Sequence, residues 1–152
     1  MHVQGALSNV NRSVSTDEFV RFLAERAPQG HYFMVDPPPG IVMTSAVDWR
    51  VVVPDTAAFA PLAAALWDAY EKFILPLRKD DASPPAGIVV QMRNGKGAFD
   101  QFKVGGDILD RETLVHRIGE SARVLCPKNK AWDPRQEIEE TMDSGYWAEF
   151  AG

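Results

Sequence analysis

Ile41 to Val53 reads IVMTSAVDWRVVV, and its alternation decides how the rest of the chain is to be folded. Ile41, Met43, Ser45, Val47, Trp49, Val51 and Val53 share one parity, while Val42, Thr44, Ala46, Asp48, Arg50 and Val52 share the other. Successive side chains of a strand point to opposite faces. The first set is therefore expected on a buried face, and Asp48 with Arg50 on the opposite one. Pro54 and Asp55 close the strand. Upstream, His31 to Asp36 is a second β-rich run, and Pro37-Pro38-Pro39-Gly40 between the two cannot continue a ladder and must turn.

A second hairpin follows downstream. Ile88 to Arg93 and Ala98 to Val104 are β-type runs joined by Asn94-Gly95-Lys96-Gly97, and Asn-Gly between such runs is the strongest short hairpin signal. Helical patterns separate and follow the hairpins. Ser15-Thr16-Asp17-Glu18 has capping-box spacing and opens a helix over about Thr16 to Ala27, with Phe19, Phe22 and Leu23 on its apolar side. Leu62, Leu66, Tyr70, Phe73, Ile74 and Leu77 form a stripe in a second helix, with Pro61 suited to its first position and Pro76 to its end. Asp110 caps a third, with Leu114, Ile118, Ala122 and Leu125 in register. Asp133-Pro134 opens a fourth, whose stripe Ile138, Met142, Tyr146 and Phe150 carries it over about 133–150, although Gly145 weakens its second half.

The expected order is α-β-β-α-β-β-α-α. Hairpins separated by helices imply an α+β fold: one two-layer domain over residues 1–152, with a mainly antiparallel sheet of about four strands covered on one face by helices. The polar stretch Arg78 to Gly87 is a loop rather than a domain boundary, since neither half alone would have an adequate core.

Charge is distributed unevenly. The net charge is −5 over 152 residues, with 21 acids and 16 Lys+Arg. Asp133, Glu137, Glu139, Glu140, Asp143 and Glu149 face only Arg135 in residues 131–152, so the last stretch carries the whole imbalance. No basic stripe with interleaved aromatics suggests nucleic acid, and no continuous apolar run suggests a membrane span. The first residues have neither the basic nor the apolar part of a signal peptide, and Cys126 is the single cysteine. A cytoplasmic location is the expectation.

Chemistry-bearing motifs are sparse. Asn94 to Gly97 lacks the spacing and the following helix of a phosphate loop, and it reads as a plain hairpin turn. His2, His31 and His116 form no metal-ligand pair with one another or with Cys126, so neither metal nor cofactor is expected. Cys126 reads as a buried structural thiol, and no nucleophile elbow is present. One candidate ligand face remains on the strand: Thr44, Asp48 and Arg50, with His31 expected nearby and able to act as a general base if the fold sets Asp36 or Asp48 beside it.

The C-terminal helix is the other candidate. Glu139 with Asp143 and Glu140 with Asp143 are like-charge pairs at helical spacing that no lysine relieves. First-turn acids suit the helix dipole, which accounts for Asp133 and Glu137 and leaves the others unexplained. Glu139, Glu140, Asp143, Trp147 and Glu149 thus form a candidate docking surface for a basic protein. The first expectation is accordingly a non-enzymatic binding module or inhibitor of the immunity-protein, antitoxin or adaptor kind. The alternatives are a small-molecule-binding domain or enzyme using the Asp48/Arg50 face, and a homo-oligomer that buries the terminal aromatics.

Overall fold

The computed structural model describes residues 1–8, 15–36, 38–40, 47–78, 86–126 and 133–150. Among these the elements run β1 (His2–Ser8), α1 (Thr16–Arg26), β2 (His31–Val35), β3 (Trp49–Val52), α2 (Phe59–Ala69), β4 (Gly87–Arg93), β5 (Phe99–Val104), α3 (Arg111–Leu125), α4 (Pro134–Asp143) and β6 (Trp147–Glu149). Thr44, the rest of the 41–46 segment, the 79–85 loop and Trp132 lie outside the described residues.

One antiparallel sheet holds all six strands in the order β5-β4-β1-β3-β2-β6. The fold is α+β as expected, but the sheet has six strands rather than about four. The element order departs from α-β-β-α-β-β-α-α because β1 precedes the first helix and β6 follows the last. Adding β1 exposes a regularity. The unit β1-α1-β2 leaves a gap that β3 fills, and β3-α2-β4 leaves a gap that β1 fills. These are two interlocked split β-α-β units, extended at the edges by β5 and β6.

The parity read from the sequence holds in β3. Trp49 and Val51 are buried on the face covered by α1, α2 and α3, together with Val3, Val90, Met92 and Phe102 from neighbouring strands. Phe19, Leu23, Leu62, Leu66, Leu114 and Ile118 close this core from the helices. Gly5 faces Trp49 across the β1–β3 ladder. A Cβ there would lie 1.8 Å from the Val89 carbonyl oxygen and 3.0 Å from the Trp49 indole, so only glycine admits that ring.

Local capping matches the sequence. Ser15 Oγ accepts from Glu18 N–H, Asp110 Oδ1 from Thr113 N–H, and Asp133 Oδ1 from Arg135 N–H. Pro61 sits in the third position of α2, still within the turn whose N–H groups have no helical partner. Beyond Ala69 the helix continues through a π turn, Tyr70–Ile74, and a 3₁₀ turn, Leu75–Leu77. Leu62, Leu66, Tyr70 and Ile74 of the stripe are buried, Phe73 is partly buried and Leu77 is exposed.

The fourth helix is shorter than expected. It ends at Asp143, where Ser144 Oγ donates to the Thr141 carbonyl and Gly145 takes φ +76. A left-handed glycine after the last turn stops a helix and redirects the chain. Residues 146–150 therefore pair with β2 instead of extending the stripe. Asp36 N–H donates to the Tyr146 carbonyl at 2.7 Å and Phe150 N–H to the Tyr32 carbonyl at 2.8 Å. Met142, read as part of the buried stripe, is exposed, and Thr141 is buried in its place.

The two-layer expectation is also corrected. His2, Gln4 and Arg50 occupy the parity opposite to Val3, Trp49 and Val51, and they meet Glu137 and Thr141 of α4. The sheet thus carries three helices on one face and α4 over part of the other.

Candidate functional site

The second sheet face is polar along its centre. In register across five strands stand Gln101, Gln91, Gln4, Arg50 and Phe33. The first four form a continuous hydrogen-bond chain. Arg50 Nε and Nη2 donate to Gln4 Oε1 at 3.0 and 2.8 Å, and Gln4 Nε2 donates to Gln91 Oε1 at 2.8 Å. Gln91 Nε2 donates to Gln101 Oε1 at 3.3 Å, while Arg93 Nη1 donates to Gln91 Oε1 at 3.1 Å. Gln4 is buried, so its amide is satisfied only through these partners.

Arg50 is held from two further directions besides Gln4. Its Nη1 donates to Thr141 Oγ1 at 2.9 Å, its guanidinium lies 4.7 Å from the centroid of the Trp147 ring, and Gln4 fixes its plane. Burial lowers its affinity for the proton, the Glu137 charge opposes that, and the Arg93 charge adds to it. Arginine stays charged regardless.

α4, this sheet face and the β4–β5 turn enclose a cleft of about 490 Å³. Arg50, Arg93 and His2 form its floor, Glu137 and Glu140 stand on the helix wall, and the hairpin turn closes one end. Asn94 is fully engaged in shaping that turn. Its Oδ1 accepts from Lys96 and Ala98 N–H, and its Nδ2 donates to the Leu125 carbonyl.

Glu137 is paired within the cleft. The Met1 amine lies 3.0 Å from its Oε2 and His2 Nδ1 3.6 Å from its Oε1. Burial raises the carboxyl's proton affinity, but His2 and the amine outweigh it and hold the group below its usual range. Burial also keeps His2 below the usual histidine range, despite the opposing pull of Glu137. Its Nε2 is buried with no hydrogen-bond partner among the described residues.

The residues expected to form a ligand face are not brought together. Arg50 lies in the cleft. Asp48 lies where β1 and β3 separate and accepts a backbone hydrogen bond from Leu7; burial raises its proton affinity and that bond partly offsets the effect. It lines a different cavity, with Thr16 and Met34. His31 sits opposite Val52 at the other end of the hairpin, beside Glu149 and Phe150. Four residue steps along β2 separate His31 from Val35, which is level with Asp48, a distance of about 13 Å, so this histidine does not serve that carboxylate. Cys126, expected to be buried, is half-buried, and burial raises its thiol. His116 is exposed on α3.

The acidic candidates divide by direction. Glu140 lines the cleft, whereas Glu139 and Asp143 lie one turn apart on the opposite side of α4 from buried Thr141. Glu149 and Trp147 belong to edge strand β6, with Glu149 exposed and Trp147 half-buried beneath Arg50.

His2, Gln4, Gln91, Arg93 and Thr141 were missed as site residues. The alternation of Gln91 and Arg93 against Val90 and Met92 was available as a signal; for His2 and Gln4 it was a short alternation without strong strand formers. Comparison with protein-family models, with curated proteins and with solved structures finds no match. Among the described residues, no helix is long and apolar enough to cross a membrane.

Proposed function

We propose that the chain is a non-enzymatic protein-binding module that docks a basic protein on the outer strip of α4 and β6. The observation that carries this reading is the state of Glu139, Asp143 and Glu149. All three are exposed, and none has a cation within ion-pair distance among the described residues. Elsewhere on the surface Asp17, Asp68, Asp100 and Glu120 each hold an arginine, while Glu18, Glu25 and Glu112 are also exposed without one; the α4 and β6 strip differs in having no basic residue but Arg135 in its stretch of chain. Glu139 and Asp143 repel one another at helical spacing, a cost of a few tenths of a kcal/mol that an external cation would reverse.

The β6 edge supports the same face. Tyr146 and Phe150 direct their backbone groups to β2, so Trp147 and Glu149 direct theirs to the outer edge. A partner there meets carboxylates together with strand groups that have no partner among the described residues, the chemistry of charge-steered docking combined with strand addition.

The test starts from a partner copurified from the native host and identified by mass spectrometry. Its affinity is then measured against salt for the native chain and for the E139Q/D143N/E149Q variant. The expected result is an affinity that falls with salt, and falls by roughly tenfold in the variant at low salt. Binding that ignores both changes overturns the proposal.

A further inference from the structure

We infer that the cleft beneath α4 binds a small zwitterion, whose carboxylate rests on Arg50 and Arg93 and whose amine lies against Glu140. The cleft's volume, about 490 Å³, lies in the range of small-molecule sites.

The floor is built to receive an anion. Arg50 and Arg93 both line the cleft, and neither has a carboxylate within ion-pair distance among the described residues. Their hydrogen-bond acceptors are neutral, and the Glu137 charge acts on Arg50 only from beyond ion-pair distance. Arg50 directs three N–H groups to the Gln4 carbonyl and the Thr141 hydroxyl, and Arg93 directs one to the Gln91 carbonyl. Both therefore keep further N–H donors, and the hydrogen bond from Gln4 Nε2 to Gln91 Oε1 ties the two guanidiniums into one unit. Trp147 and Thr141 hold Arg50 in place, so a carboxylate would meet an arginine already oriented.

The opposite wall selects against a simple anion. Glu137 is occupied by His2 and the Met1 amine, but among the described residues Glu140 accepts only from Gln136 Nε2, at 3.2 Å, and has no cation within ion-pair distance. An anion alone faces that carboxylate, and a cation alone faces two guanidiniums. A molecule with both charges satisfies both walls. This site is separate from the outward strip of Glu139 and Asp143, so either can fail without the other.

The test uses the full chain and four probes: β-alanine and ε-aminocaproate as zwitterions of two lengths, hexanoate as the anion and hexylamine as the cation. Binding is followed by amide chemical shifts in the native protein and in the Arg93→Gln and Glu140→Gln variants. Both substitutions are at positions outside the core, and thermal unfolding verifies that each variant is folded. The expected result is that at least one zwitterion binds about tenfold more tightly than either single-charge probe, with shifts at residues 91–97 and 136–141. Arg93→Gln should weaken it by roughly tenfold, and Glu140→Gln should erase its advantage over hexanoate. The inference is overturned by three results: no zwitterion binding at millimolar concentration, hexanoate binding as tightly as the zwitterions, or binding that both variants leave unchanged.

Discussion

Arg50 and Gln4 stand directly opposite one another on β3 and β1, and two nitrogens of the guanidinium share the single amide oxygen Oε1, at 3.0 and 2.8 Å. Among the described residues that oxygen is the one acceptor that this sheet face offers to the guanidinium. Replacing Gln4 with Leu should therefore leave a half-buried charge short of its acceptor and Gln91 short of a donor. We expect a loss of about 2 kcal/mol in urea unfolding, against about 1 kcal/mol for an ordinary hydrogen bond. A change below about 0.5 kcal/mol would mean that water replaces the glutamine.

The His2 ring sets a pH dependence. Burial holds its folded pKa below the ordinary 6.5. Between 6.5 and that lower value the unfolded chain holds a proton that the folded chain lacks, so stability is full above 6.5 and falls as pH drops through this window. Glu137 titrates from a reference of 4.5 and below, outside the upper part of the window. His2→Asn should flatten the change in unfolding midpoint between about pH 7.5 and about pH 5.5. An unchanged slope in that variant would assign the effect elsewhere.

Asp100 is gripped by Arg117 through two bonds, at 2.9 and 2.8 Å, and by the Ser121 hydroxyl. The Arg117 hydrogen bond holds its carboxyl below the ordinary 3.8, against a smaller opposing effect of burial. The pair is partly exposed, so solvent screens it, and Asp100→Asn should cost about 1 kcal/mol at neutral pH. A depressed carboxyl contributes stability that is present above 3.8 and lost as pH falls toward its folded value. The difference between variant and native chain should shrink correspondingly in acid, which denaturant midpoints at neutral and acid pH would read.

Gly145 turns the chain from α4 into β6. Its φ of +76 is costly for any residue with a Cβ, and no atom would obstruct one. Gly145→Ala should therefore cost about 1 kcal/mol through backbone strain alone. Hydrogen exchange should quicken first at the Asp36 and Phe150 amides, which tie the last strand to β2. Uniform loosening of the whole sheet would contradict this local origin.

Much of the fold was legible because its signals are local. A helix closes its own hydrogen bonds within four residues, so Ser15, Asp110 and Asp133 announce their helices wherever the chain later places them. Asn94 does the same for the β4–β5 turn. Strand β1 was not legible, because His2 to Ser8 has weak β-formers and is a strand by virtue of β3 and β4 on either side. Gly145 was visible as a weak point, but the apolar spacing of Tyr146 and Phe150 fits a helix face as well as a strand edge.

The candidate site divides the same way. The acids of α4 were evident in the charge count, while the cleft draws on His2, Arg50, Arg93 and Glu137 from four separate segments. By itself the sequence determined the α+β class, the capped starts of α1, α3 and α4, the second hairpin and the buried parity of Trp49 and Val51, since each rests on contacts a few residues apart. Tertiary structure alone decided that β1 takes a central place in the sheet, that the last residues pair with β2, and that two arginines meet a glutamic acid wall beneath α4. Strand pairing and charge convergence depend on partners distant in the chain, and no spacing within one segment specifies which partners those are.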